Sequence, residues 1–126
     1  MLMPLCVLLL LLCGCSPNSL AEFEREGAAR CRSLASVLAS IENREQLLGS
    51  EPELKKHFES LVDLMIEARQ FQRKHPDAIV CDVAQSDNSA SQLLEQQLRR
   101  IYAMEGGREI IERSQHESLV RLDAKL

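Results

Sequence analysis

Apolar positions recur at intervals of three and four from Leu20 onward: Leu20, Phe23, Gly27, Cys31, Leu34, Leu38, Ile41, then Glu45 and Leu48. This spacing draws one stripe along a helix, interrupted at Gly27 and Glu45. Gly49 follows the stripe where a left-handed cap is expected, and Ser50 with Glu53 has the form of a capping box, with Pro52 acceptable in a first turn. The pattern predicts a first helix ending near Leu48 and a second beginning near Ser50. So short a connection makes them antiparallel neighbours. The second helix carries Leu54, Phe58, Leu61, Met65 and Ala68, with Val62, Leu64, Ile66 and Phe71 widening its apolar face. Arg73, Lys74 and His75 suit the negative end of its dipole, and Pro76 ends it. Residues 76–88 read as an ordered loop. A third helix starts near Asn88 or Ser89 and carries Leu94, Leu98, Ile101 and Met104. Gly106 and Gly107 together cost about 2 kcal/mol relative to alanines in a helix, so a break or strong kink is expected there. Beyond it Ile110, Ile111, Leu119 and Leu122 continue the pattern more sparsely. The expected fold is all-α: a small antiparallel bundle of three to four helices over residues 20–126.

The first fifteen residues do not belong to that pattern. Thirteen of them are apolar and none is charged. The block Leu5–Cys13 would make a helix of about 14 Å, well short of the ~30 Å hydrocarbon core of a bilayer. Pro4 precedes it, and Gly14 and Pro17 follow it. Its length suits the apolar region of a secretory signal rather than a membrane span.

The residues that close the block, Leu12-Cys13-Gly14-Cys15, are more specific. They resemble the lipobox of bacterial lipoproteins, in which an aliphatic residue, a small residue and Gly or Ala precede an invariant cysteine. The resemblance implies cleavage between Gly14 and Cys15 and a diacylglyceryl group on the Cys15 thiol. It therefore implies a signal peptide over 1–14, a lipidated tether over 15–19 and the bundle thereafter. Two or three acyl chains anchor stably where one binds reversibly. By the sorting habit of that family, Ser16 after the lipidated cysteine favours the outer over the inner membrane. The resemblance covers residues 1–19 and carries no activity for the rest.

Two cysteines remain in the mature chain, Cys31 and Cys81. An exported protein meets a compartment that permits disulfides, and a Cys31–Cys81 bridge would pin the one long loop. The alternative is two free thiols, with Cys31 buried as a small hydrophobe.

The chain has 15 basic and 19 acidic side chains and a net charge of -4, a poor footprint for nucleic acid. Five acid–base pairs lie at helical spacing in the favourable order: Glu26–Arg30, Glu51–Lys55, Glu95–Arg99, Glu109–Arg113 and Glu117–Arg121. Glu59, Asp63 and Glu67 break that habit by placing three acids on one face. Either arginines of a neighbouring helix pair with them, or they form an acidic docking stripe for a basic partner. Glu53–His57 and Glu112–His116 each offer two ligands on one helix face, fewer than a zinc site needs. No glycine-rich phosphate loop and no Gly-x-Ser-x-Gly elbow occurs.

No catalytic residue, cofactor or metal is expected from this pattern. The reading is a non-enzymatic, lipid-anchored envelope protein: a helical interaction or structural module with an envelope protein partner or a second copy of itself. Ile110, Ile111, Leu119 and Leu122 are the expected donors of the contact surface. The competing reading is a carrier that encloses a small apolar ligand such as a lipid, in an aliphatic lining, since the chain has one Tyr, three Phe and no Trp.

Overall fold

The computed structural model describes residues 19–77 and 88–125. Within them lie four helices and no strand: α1 (Leu20–Ala39), α2 (Arg44–Lys74), α3 (Ser89–Tyr102) and α4 (Gly107–Lys125). The all-α bundle is therefore observed. Helices α1 and α2 form one antiparallel hairpin and α3 and α4 a second. The second hairpin lies alongside the first, so that α3 runs with α1 and α4 with α2.

The first connection is not where the pattern predicts it. Helix α1 stops at Ala39, and the chain turns through Ser40–Asn43 without a glycine. Two local devices start α2. The Asn43 side chain accepts from the Gln46 backbone N–H at 2.9 Å, and Gln46 Oε1 accepts from the Glu42 N–H at 2.7 Å. This is a reciprocal cap of the capping-box kind, three residues apart. A distant residue helps finish α1: the Arg100 guanidinium on α3 donates to the carbonyl of Ile41, just past the helix end, and to that of Leu38, which also accepts from the Ile41 N–H. Gly49, Ser50 and Pro52 consequently lie inside α2. Pro52 supplies no N–H for the Leu48 carbonyl, and an interior Pro costs about 3 kcal/mol. Leu47 and Leu54, both fully buried on either side of it, offset this at roughly 1.5–3 kcal/mol each. In the predicted stripe, Leu47 takes the core position, while Glu45 and Leu48 are exposed.

The other boundaries agree with the pattern. Helix α2 ends at Lys74, where the His75 N–H closes the last turn on the Phe71 carbonyl. Helix α3 begins at Ser89. The glycine pair breaks the chain: Gly106 adopts a φ of 72°, and a Cβ on Gly107 would lie 1.9 Å from the Ile101 carbonyl oxygen. Only glycine fits that approach.

The core gathers at the end of the bundle where the two short turns lie. Leu34, Leu38, Ile41, Leu47, Leu54, Phe58, Ile101, Ile110 and Ile111 form one buried cluster there. Helix α4 reaches it by an unexpected face. Its buried residues after Ile111 are Ser114 and Ser118, and Leu119 remains about half exposed. Small serines let α4 approach α2 closely, and the Ser114 hydroxyl is satisfied by the Ile110 carbonyl one turn back, at 2.8 Å.

Candidate functional site

Each residue nominated from sequence has a definite place or lies outside the described residues. Cys15, with the Gly14–Cys15 cleavage position, and Cys81 lie outside them. Ser19 is the first described residue, and its hydroxyl accepts from the Glu22 N–H to cap α1. Three residues therefore separate Cys15 from a helix start fixed by its own cap.

The apolar quartet of the last helix divides. Ile110 and Ile111 are 3% and 0% exposed and sit in the core, so they offer nothing to a partner. The reason is that the serine face of α4, rather than its leucines, lies against α2, which turns the isoleucines inward. Leu119 is exposed beside Val120, and Leu122 is partly buried near Ile66.

The acidic run Glu59, Asp63 and Glu67 divides as well. Arg121 of α4 meets Asp63 Oδ1 at 2.6 Å and also donates to the Glu59 carbonyl at 3.3 Å. The central acid is thus matched by a neighbouring helix, the first of the two readings offered by the sequence, while Glu67 is exposed. Arg113 makes a second bridge between α2 and α4, a two-pronged contact with Glu51 at 2.6 and 2.8 Å. The hydrogen bonds and charge of Arg113 hold the Glu51 carboxyl below its ordinary range. Of the five intrahelical pairs, Glu26–Arg30 and Glu95–Arg99 form, at 3.0 and 2.6 Å. Glu51, Arg113 and Arg121 instead engage across the α2–α4 seam. A bidentate or shared contact to a neighbouring helix competes successfully with a solvated pair worth a few tenths of a kcal/mol.

The histidines are scattered. His75 stacks on Phe71 with ring centroids 4.3 Å apart, His57 is partly buried on α2, and His116 is exposed on α4. Among the described residues no three His, Cys, Asp or Glu side chains converge on a point that could hold a metal ion. No described helix is long and apolar enough to cross a membrane.

One concavity among the described residues was not anticipated from sequence. Helix α3 begins only beside Arg32, whose guanidinium meets the Ser89 hydroxyl at 3.3 Å. Among the described residues, the N-terminal half of the α1–α2 seam therefore has no third helix over it on that side. An open groove of about 720 Å³ results, bordered by Gly27, Ala28, Cys31, Leu64, Met65 and Asn88. Gly27 and Ala28 project little into it from the α1 side, and Met65, which lines it, is 46% exposed. Cys31 carries a free, partly buried thiol, which burial pushes above its usual range against a smaller opposite pull from Arg32. The sequence signal for the groove was Gly27, which places no side chain on the otherwise large-residue stripe of α1, with the small Ala28 beside it. Comparison with protein-family models, with curated protein sequences and with solved structures finds no match for this chain.

Proposed function

We propose that this chain is a lipid-anchored envelope lipoprotein whose helical bundle is a non-enzymatic interaction or structural module. The observation that carries the reading is Leu12-Cys13-Gly14-Cys15, separated by three residues from Ser19, which caps the first described helix. A diacylglyceryl group on Cys15 would tie the α1 N-terminus to a bilayer through the short tether Ser16-Pro17-Asn18. With Ser16 at the sorting position, the outer membrane is the favoured address. The partner is an envelope protein or a second copy of the chain, and no nucleic acid is involved. Leu119 and Val120, adjacent and exposed on α4, are apolar residues available for that contact, as are the exposed Leu48, Met65 and Leu93 elsewhere on the bundle. The test is an intact mass of the protein extracted from its native host's membranes. Residues 15–126 plus two or three acyl chains is the expected result; an unmodified full-length mass, or cleavage elsewhere without lipid, overturns the anchor.

The groove supports a second reading, a carrier of a small apolar ligand such as a lipid, because its volume falls in the range of ligand pockets. Organic extraction of natively purified protein tests it: a stoichiometric lipid favours the carrier, and lipid-free protein counts against it.

A further inference from the structure

We propose that the cleft between the C-terminal ends of α2 and α4 is a contact surface for the phosphate groups of an anionic lipid bilayer, made by Arg69, Arg73 and Lys125. The cleft measures about 70 Å³ and is lined by those three cations together with Ile66, Gln70 and Leu122. Positions 66, 69, 70 and 73 recur at helical spacing, so they share the face of α2 that meets α4. Earlier along the chain the same seam pairs acids of α2 with arginines of α4, Glu51 with Arg113 and Asp63 with Arg121. In its last two turns cations stand on both sides instead, and none of the three makes an ion pair among the described residues. Helix dipoles favour Arg73 and Lys125 in the last turns of their helices. Arg69 stands one turn further in, four residues from Arg73, where like charges repel. An anion between the two helices relieves that repulsion. Glu67, Asp77 and Asp123 are exposed nearby but do not line the cleft.

The position of the cleft selects a bilayer as the partner. Helix α1 begins at the end where α2 finishes, since the Phe23 and Phe71 ring centroids are 5.5 Å apart. Helix α4 runs with α2, so its last residue, Lys125, lies at that end too. A chain tethered through Cys15 presents this end to the membrane, because only Ser16, Pro17 and Asn18 separate the lipid from the Ser19 cap. The inference rests on that anchor reading for its direction. The whole chain has a net charge of -4, so attraction to an anionic surface needs such a local concentration of unpaired cations. Glu22 and Glu24, in the first turns of α1, confine the contact to the α2–α4 side. The chemistry suits phosphate: each guanidinium can present two N–H groups to a pair of phosphate oxygens, and Lys125 adds a point charge.

The test uses the full chain with vesicles of phosphatidylcholine, alone or with added phosphatidylglycerol, at physiological salt. The apolar residues 1–15 are the same in every variant, so the ratio of binding to the two vesicles reads the charge contact. The parent should prefer the anionic vesicles. Arg73→Gln combined with Lys125→Gln should lower anionic-vesicle binding roughly 25-fold, at about 5-fold per cation near such a surface, with neutral-vesicle binding and helicity unchanged. Lys55→Gln combined with Lys56→Gln makes the same change of charge about 25 Å back along α2 from Arg73, roughly three Debye lengths away, and should alter binding by less than about 2-fold. No preference for phosphatidylglycerol overturns the proposal, as does an equal loss in both double variants, which reduces the effect to net charge. Displacement by millimolar inorganic phosphate at constant ionic strength would assign the cleft to a free anion and overturn the bilayer as its partner. Failure of the anchor is separable, because the intact mass reports lipid on Cys15 whatever the vesicle ratio.

Discussion

One substitution made at two glycines should have opposite effects. At Gly49, inside α2, no atom lies within 4 Å of where a Cβ would stand. Alanine there only improves helix propensity, a gain of about 0.5–1 kcal/mol. At Gly107, the first residue of α4, the same methyl group would lie 1.9 Å from the Ile101 carbonyl oxygen. A carbon approaches such an oxygen to about 3.3 Å, so the turn must open by roughly 1.4 Å. The Ile101 carbonyl accepts from the Met104 N–H at 3.0 Å, and the Ile101 side chain is fully buried. Opening the turn breaks that hydrogen bond, at about 1 kcal/mol. It also displaces a core residue, at about 1–3 kcal/mol. Reduced freedom of the unfolded chain returns about 0.4–1 kcal/mol. The net for Gly107→Ala is destabilisation by about 2 kcal/mol, which lowers Tm by about 8–16 °C in a domain of this size. Gly49→Ala should raise it by about 2–8 °C. Thermal melts followed by circular dichroism measure both. A Gly107→Ala protein melting at or above the parent would refute the assigned turn, and an equal shift at both sites would show that propensity alone governs these positions.

Three further outcomes follow from the same packing. Ile111→Ala should cost about 2–5 kcal/mol in denaturant unfolding, whereas Leu119→Ala should stay within about 0.5 kcal/mol; comparable losses would mean that α4 is rotated about its axis. Asn43→Ala should cost about 1 kcal/mol and Ser50→Ala should be neutral or slightly stabilising, and the reverse order would return the helix start to Ser50. Glu51, whose carboxyl is held low by Arg113, stabilises the fold fully above its unfolded value of about 4.3, and this contribution is lost as pH falls through the lower folded value. Glu51→Gln should therefore be less stable than the parent at neutral pH, with the two unfolding curves converging in acid; a gap independent of pH would exclude the ion pair as its source.

Much of the architecture is local in origin and so readable from the chain. Pro76 stops α2, and Gly106 with Gly107 separates α3 from α4, because each acts through backbone geometry within a few residues; α3 starts at Ser89 as the pattern predicts, although the Asn88 side chain makes no cap hydrogen bond. The first turn was legible in part: Asn43 and Gln46 carry the capping signal, but Gly49, Ser50 and Pro52 carry a competing one a few residues later. The choice between them comes from far away. Arg100 helps finish α1 from 59 and 62 residues along the chain, and Leu47 and Leu54 find a core that holds α2 together through Gly49 and Pro52.

The face of α4 could not be read locally either. A leucine signals burial by its type, but Ser114 and Ser118 are buried because α2 comes close enough to need small residues, a condition set by both helices together. The same holds for charge. Intrahelical spacing pairs Glu109 with Arg113 and Glu117 with Arg121, while packing delivers Glu51 and Asp63 to those arginines instead. The groove beside Cys31 arises in the same way, from α3 beginning only at the level of Arg32. Helix existence follows from short-range periodicity, whereas the buried face, the ion-pair partner and the open seam depend on which helix arrives alongside.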